Sequence, residues 1–358
     1  MSAWPSKTQL RAFITSGLRR IVKDDSTSEI GPRKMKLALI GGTRFIGRAV
    51  AEQAVASGHN VFVLHRGVHE NNVVGVESIL VDRSDAREMR TALHRLSPDV
   101  VVDTRAQTKA DAERSVSAID GLRCHVVVLS SQDVYAQFGR LNGLPAPEPQ
   151  PLVTEDSQLT IPYPFRNLGG HSGGDAYDKK DVESTFCKSI RKTVASVTIL
   201  RLPATYGPND YQRRFGGIVD GLDAGEGRLP CVDGGRWRWT HSHVADVAHA
   251  IMLAVTNVVA ESSVFNVGEE QTPTMRERVE LIAAQMGRQI EWLSAEDTPE
   301  QFALLRKMPN DFVVDTCRIR EALHFSEITH VQQRLGDLVG WLRSTRRMSG
   351  GALAAPMV

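Results

Sequence analysis

From Lys36 onward the chain alternates between short all-apolar runs and longer stretches with apolar residues on one helical face. "KLALIGG" is apolar throughout and ends in glycine, which marks a strand buried on both faces. "FIGRAVAEQAVASG" follows as a helix closed by Gly58. "NVFVLHRG" predicts a second strand and "SILVDRSD" a third. "AREMRTALHRL" predicts a helix with Met89, Ala92, Leu93 and Leu96 on one face. "DVVVDTRA", "HVVVLSSQDVY" and "VASVTILRLPATYG" predict strands four to six, with the helix "KADAERSVSAI" after the fourth. Strands buried on both faces and alternating with helices predict an α/β fold with a Rossmann-type, doubly wound parallel sheet.

Between the fifth strand and the next helix lies "GLPAPEPQPLVTEDSQLTIPYPFRNLGGHSGGD", with six prolines and five glycines. A loop this long inside a compact domain is usually functional. It is expected over the carboxyl ends of the strands, where open α/β sheets bind ligands, or else as a meandering connector. Past Gly207 the alternation weakens. "FNVGEE" reads as one more strand, and "TMRERVELIAAQMG" and "VQQRLGDLVGWLRS" as amphipathic helices. The expected organisation is an extension over 1–34, a nucleotide-binding domain over 35–207, a smaller α+β C-terminal substrate lobe over 208–345 interleaved with the sheet, and a disordered tail over 346–358.

The extension changes the picture least. "KTQLRAFITSGLRRIVK" lacks acids and spaces Leu10, Ile14, Leu18 and Ile21 helically. It reads as a transit peptide or membrane-surface helix, or as an extra helix or disordered arm without a cleavage signal. The net charge of +1 gives no global field toward nucleic acid or an anionic membrane. No apolar run approaches the ~20 residues that span a bilayer. Cys124, Cys187, Cys231 and Cys317 form no CxxC pair and read as reduced thiols, hence a cytoplasmic protein with no metal site.

"IGGTRFIG" carries the first chemistry. A strand ending in glycine, a tight turn and a helix N-terminus make an anion site, since backbone N–H groups and the helix dipole both face the ligand. Gly41, Gly42, Thr43, Arg44, Phe45, Ile46 and Gly47 are the expected cradle for the pyrophosphate of a dinucleotide. An NAD site places an acid at the end of the second strand; here His65 and Arg66 stand there, with no acid until Glu70. Guanidinium suits a 2′-phosphate, and Arg44 could reach the same group. The expected cofactor is NADP, with NAD as the alternative; both arginines could equally be solvated surface groups.

In this order and spacing, "GGTRFIG", "LSSQDVYA", "AYDKKDVE", "LRLPATYGPND" and "HVADVAHAI" resemble the extended or atypical short-chain dehydrogenase/reductase family, the NAD-dependent epimerase/dehydratase group. The resemblance runs from about Lys36 to Arg343. "GGTRFIG" is similar to the branch of chloroplast stem-loop binding proteins, in which the middle glycine is commonly Arg; against the family's TGxxGxxG, Ile40 replaces the Thr. The resemblance implies that Asp82 contacts the adenine, that Thr104, Arg105 and Ala106 line the cofactor, and that Pro203 flanks the nicotinamide. It implies hydride transfer to or from a carbon bearing oxygen, with Ser131 orienting that oxygen. It also implies a homodimer through the helices at Lys109–Ile119 and Tyr177–Ile190.

The same family needs a phenol as acid/base and a lysine that lowers its pKa. Its spacing is Tyr-x-x-x-Lys, but four residues after Tyr177 comes Asp181. Either Tyr177 pairs with Lys180, on the same helix face, or Val182-Glu183 sets the register. Lys179 then takes the lysine place, with Tyr177 displaced or the helix starting later. The site could also be degenerate. Asp133 stands where the family's dehydratases carry a Glu base, though Gln132 replaces their Asp; it could equally be a turn residue.

On the substrate side, "RRF" and "GRWRWTHSH" gather Arg, Trp and His. Arg213, Arg238 and Trp239 are the candidate substrate contacts. Nucleotide-sugar epimerases of the family hold the diphosphate with an Arg four residues before the motif His; here that place is Trp239, with Arg238 beside it. His241 and His243 read as structural histidines. The expected function is an NAD(P)-dependent oxidoreductase or epimerase acting on a sugar nucleotide or similar hydroxylated metabolite. The alternative is a catalytically degenerate nucleotide- or RNA-binding protein, disfavoured by a net charge near zero and the lack of a basic stripe beyond the N-terminus.

Overall fold

The computed structural model describes residues 34–161, 174–189, 196–258 apart from 226 and 232, 263–294, and 302–346 apart from 303, 304 and 306. The readings for residues 1–33, the tail from 347 and the centre of the long loop fall outside these residues. In chain order the elements are β1 (Lys36–Ile40), α1 (Phe45–Ala56), β2 (Asn60–His65), β3 (Val76–Leu80), α2 (Ala86–Leu96), β4 (Val100–Asp103), α3 (Lys109–Ile119) and β5 (His125–Ser131). There follow α4 (Ala136–Leu141), α5 (Lys179–Ser189), β6 (Ser196–Leu202), β7 (Ala204–Tyr206), α6 (Gly216–Asp223), β8 (Arg228–Cys231), β9 (His241–His243) and α7 (Val244–Thr256). The last are β10 (Ser263–Asn266), α8 (Met275–Gln285), β11 (Glu291–Ser294), α9 (Cys317–Leu323) and α10 (Val331–Arg346).

Seven strands form one parallel sheet in the order β10-β6-β5-β4-β1-β2-β3. The chain starts mid-sheet and winds outward twice, so the β1–β4 boundary is a switch point where an open cleft forms at the carboxyl ends. Alternate residues feed two cores. Leu37, Leu39, Val102 and Val127 pack with Val50, Ala51 and Ala54 of α1 and with Val247 and Ile251 of α7. Ala38, Val101, Val126 and Val128 pack with Met89, Leu93, Ala112 and Phe186 on the other face. This is why the strands read as continuous apolar runs. A third core joins Ile218, Leu222, Val279, Ile282, Leu335, Leu338 and Leu342 to Trp237, Trp239 and Phe312.

Two strands are shorter than the apolar pattern predicts. β3 stops at Leu80, because Asp82 accepts the Ser84 N–H (2.9 Å) and Asp85 accepts the N–H groups of Arg87 and Glu88 (both 2.9 Å), so a turn and a helix cap take over. β6 stops at Leu202, because Pro203 has no N–H to continue the ladder. Residues 204–206 instead pair in parallel with β9.

Candidate active site

A cleft of about 830 Å³ runs along the carboxyl ends of the strands, from Arg66 and Asp82 at one end to Trp239 and Phe312 at the other. Gly41, Thr43, Arg44, Phe45, Ile46 and Gly47 line its floor. Gly41 has φ +80°, and a Cβ there would lie 2.2 Å from Arg105 Cγ. A Cβ on Gly47 would lie 2.4 Å from the Gly41 carbonyl oxygen, so only glycine lets α1 approach β1 this closely. Gly42 faces inward instead, against Val63. The N-cap of α1, Arg44, makes no side-chain cap, and the first turn holds no acid. The cradle therefore fits a pyrophosphate: its first-turn amides have no intrahelical acceptor, and nothing anionic competes.

Arg44 answers to two neighbours at the mouth. Its Nη1 donates to His69 Nε2 (3.0 Å), and its guanidinium lies 5.2 Å from the ring centre of Tyr211, which in turn meets Phe45 edge-on. His65 Nδ1 accepts the Gly67 N–H (3.1 Å), and burial holds the imidazole below its usual pKa. The Asp82 carboxyl lies below its usual range because the Ser84 backbone and hydroxyl bond it, with Arg66 and Arg114 adding attraction. Thr104 Oγ1 donates to the carbonyls of Ile40 and Gly41. Arg105 lines the cleft; Ala106 is fully buried, and only its carbonyl takes part in the site.

Further along, Ser131, Asp133, Tyr177, Lys179 and Pro203 line one stretch of the same cleft. The Tyr177 hydroxyl donates to Asp133 Oδ2 (3.1 Å), and the Asp133 N–H donates to Ser131 Oγ (3.3 Å). Lys179 Nζ donates to the carbonyls of Ala106 (2.6 Å) and Leu129 (2.9 Å), tying the ends of β4 and β5 together. Burial pushes the Lys179 amine down to about 8, against the attraction of Asp133 and Asp103.

The pairing of Tyr177 with Lys180 is corrected. Lys180 Nζ donates to the Thr160 carbonyl, stands 4.0 Å from Asp178, and does not line the cleft. The cause is the helix start. Asp178 accepts the N–H groups of Lys180 (2.9 Å) and Asp181 (3.3 Å), so α5 begins at Lys179 and Tyr177 sits in the turn before it. Helical spacing between 177 and 180 therefore does not apply.

Behind the site, Glu183 accepts Arg201 Nε (3.0 Å) and Nη2 (2.8 Å) as well as Ser130 Oγ (2.5 Å). Arg201 Nη1 donates to the Tyr135 hydroxyl (3.0 Å), which donates to Asn266 (2.6 Å). This buried network anchors the tip of β5; Ser130, Tyr135, Glu183 and Arg201 all lie within the family-like motifs, but nothing in their spacing pairs them.

At the substrate end Trp239 lines the cleft as expected, but Arg213 and Arg238 do not. Arg213, at φ +50°, turns to Asp220 (3.1 Å) and to Thr345 (2.6 Å). Arg238 is spent on Asp311, with Nε and Nη2 each 2.8 Å from its carboxylate. The guanidinium in the cleft is Arg214, 5.3 Å from the Trp239 ring centre. No sequence rule separates the neighbours, because the positive φ values of Arg213 and Phe215 alternate with ordinary ones and abolish any periodicity. His241 Nδ1 donates to the Trp239 carbonyl (2.7 Å), and His243 Nδ1 accepts the Ala245 N–H at the start of α7. Among the described residues no group of three or more His, Cys, Asp or Glu could hold a metal. No helix among them is long and apolar enough to cross a membrane.

The model of the NAD dependent epimerase/dehydratase family matches residues 37–131 and 116–268. The chain belongs to this family. It is an enzyme of the epimerase/dehydratase type, and its parallel sheet flanked by helices is that of the fold. A 2′-dehydrokanamycin reductase of Streptomyces kanamyceticus is 24% identical over 295 residues, covering 79% of this chain and 75% of its own. A dTDP-L-rhamnose 4-epimerase of Burkholderia thailandensis is 24% identical over 302 residues, covering 70% and 81%. Among solved structures, a UDP-glucose-4-epimerase of Stenotrophomonas maltophila with bound NAD and formylated UDP-arabinopyranose shares the fold with a TM-score of 0.65 at 16% identity, over 88% of this chain and 100% of that one.

Proposed function

We propose that the protein is an NADP(H)-linked reductase or epimerase that moves a hydride to or from a hydroxylated carbon of a sugar nucleotide or similar hydroxylated metabolite. One observation carries the reading: the glycine cradle and the Ser131–Asp133–Tyr177–Lys179 group line a single continuous cleft. The two curated relatives, a reductase and a 4-epimerase, support the reaction type.

The amides at the start of α1 hold the pyrophosphate, and Arg66, with Arg44 lining the same cleft, favours a 2′-phosphate because no carboxylate ends β2. When bound, the nicotinamide nucleotide supplies or accepts the hydride. Ser131 Oγ orients the substrate oxygen. In the oxidative direction Tyr177 takes the alcohol proton as it passes its own to Asp133; in reduction both transfers reverse. Lys179 keeps a cation beside Asp133 and favours its ionised form. The segment 208–345 serves as the substrate lobe, and a homodimer through α3 and α5 belongs to the same reading.

The test is a screen of NADPH oxidation against cyclic ketones, followed by Tyr177→Phe on the best substrate. Turnover should fall by about 10²-fold or more. Unchanged turnover would remove Tyr177 from the proton path.

A further inference from the structure

We infer that the substrate end of the cleft takes a small cyclic ketone or alcohol bearing one carboxylate, held by Arg214 against an aromatic wall, and not a nucleoside diphosphate sugar. The inference rests on the proposed function and selects the second of its two substrate classes.

The wall is Trp239, Phe312 and Phe138, all buried and all lining the cleft. Phe138 lies 5.4 Å from Phe312 and 6.2 Å from Trp239 between ring centres. Trp237 stacks on Trp239 at 5.8 Å from behind, so the indole is fixed before any ligand arrives. Such an apolar lining suits a cyclic body packed beside Arg214, not one laid on the Trp239 face that the guanidinium already covers.

Among the described residues, the charge favours a single carboxylate over a diphosphate. Arg214 is held over the Trp239 ring, with Nη2 donating to Gln212 Oε1 (3.0 Å) and Nε to the Thr205 carbonyl (3.4 Å). Its Nη1 makes no hydrogen bond among the described residues, which leaves donors for one ligand group. Arg214 is half-buried, and this partial desolvation lets an anion brought to it gain more than at a fully exposed site. Asp210 stands close by. Its carboxylate accepts the N–H groups of Gln212 (3.0 Å) and Arg214 (2.9 Å) and offsets part of the guanidinium charge. The neighbours that could have made a cluster are already engaged: Arg213 by Asp220 and Arg238 by Asp311. Among the described residues, this end of the cleft therefore offers one partly offset cation. That matches the single charge of a carboxylate. A diphosphate would bring about two negative charges to it, most of them uncompensated.

The test is calorimetric titration of the full chain, with NADPH present, using benzoate, benzyl alcohol and uridine diphosphate as probes. Benzoate should bind, benzyl alcohol at least about tenfold more weakly, and uridine diphosphate no better than benzoate. Arg214→Met should weaken benzoate about tenfold or more while leaving NADPH affinity unchanged; Arg214→Lys, which keeps the charge but loses the fork, should fall between. Failure of benzoate to bind, tighter binding of uridine diphosphate, or benzoate affinity indifferent to Arg214→Met would overturn the inference. Absence of NADPH binding would instead overturn the proposed function, so the two failures are told apart in one experiment.

Discussion

The two ends of the cleft are built differently. The cofactor end is made of backbone: positive-φ Gly41, the close approach at Gly47, and the open amides of α1. The substrate end is made of side chains on irregular segments, where Arg213, Arg214 and Phe215 alternate between ordinary and positive φ. A backbone site is bound to its sequence through residue types that only a few conformations accept. A side-chain site depends on which way each residue turns, and neighbouring arginines are interchangeable on paper. Substitutions at the first end should therefore be severe and local to nucleotide binding. Those at the second should be sharply uneven between neighbours.

The largest effect is expected from Gly47→Ala. The added Cβ meets the Gly41 carbonyl, so α1 must retreat from β1, and NADPH affinity should fall by about 100-fold or more in a fluorescence titration. An affinity within threefold of wild type would mean that the cradle is not backbone-built.

Next comes the charge behind the site. Glu183→Ala leaves Arg201 buried without its carboxylate and should cost about 3–5 kcal/mol in urea unfolding. Equal stability would show that the network does not anchor β5.

Lys179 gives a pH test. Its folded pKa, about 8, lies below the ordinary 10.5, so between those values the unfolded chain binds more protons. Stability from this group is therefore complete above 10.5 and lost as pH falls through about 8. The stability of wild type relative to Lys179→Met should rise across that window, and relative to Lys180→Met should show no such rise. A flat difference for Lys179 would place its amine in solvent.

Arg66→Asp restores an acid near the end of β2 and should move the NADPH:NADH preference about tenfold or more toward NADH. Smallest of all, Arg238→Met should change NADPH and benzoate affinities less than twofold, since its partner is Asp311.

Most of the sheet could be read from the chain because both of its faces are buried. Apolar runs such as 100–102 have no other stable use, and α2 and α3 begin where Asp85 and the Thr108–Asp111 capping box dictate. Gly41 and Gly47 were legible for another reason, that no side chain fits at either place, whereas Gly42 turned inward against Val63. The register of the catalytic group was not legible. It turned on Asp178 as a helix cap, and an Asp before two lysines looks equally like one more residue of a polar helix face. The substrate arginines were illegible in a stronger sense, because Asp311 and Thr345 are remote in sequence from the residues they engage.

The central claim is that this cleft holds a nicotinamide nucleotide with Lys179, not Lys180, beside it. Calorimetry with NADPH on wild type, Lys179→Met and Lys180→Met tests it most directly. The account predicts one site with affinity on the order of micromolar in wild type and in Lys180→Met, weakened about tenfold in Lys179→Met. No heat at millimolar NADPH, or a loss in Lys180→Met equal to that in Lys179→Met, would contradict it.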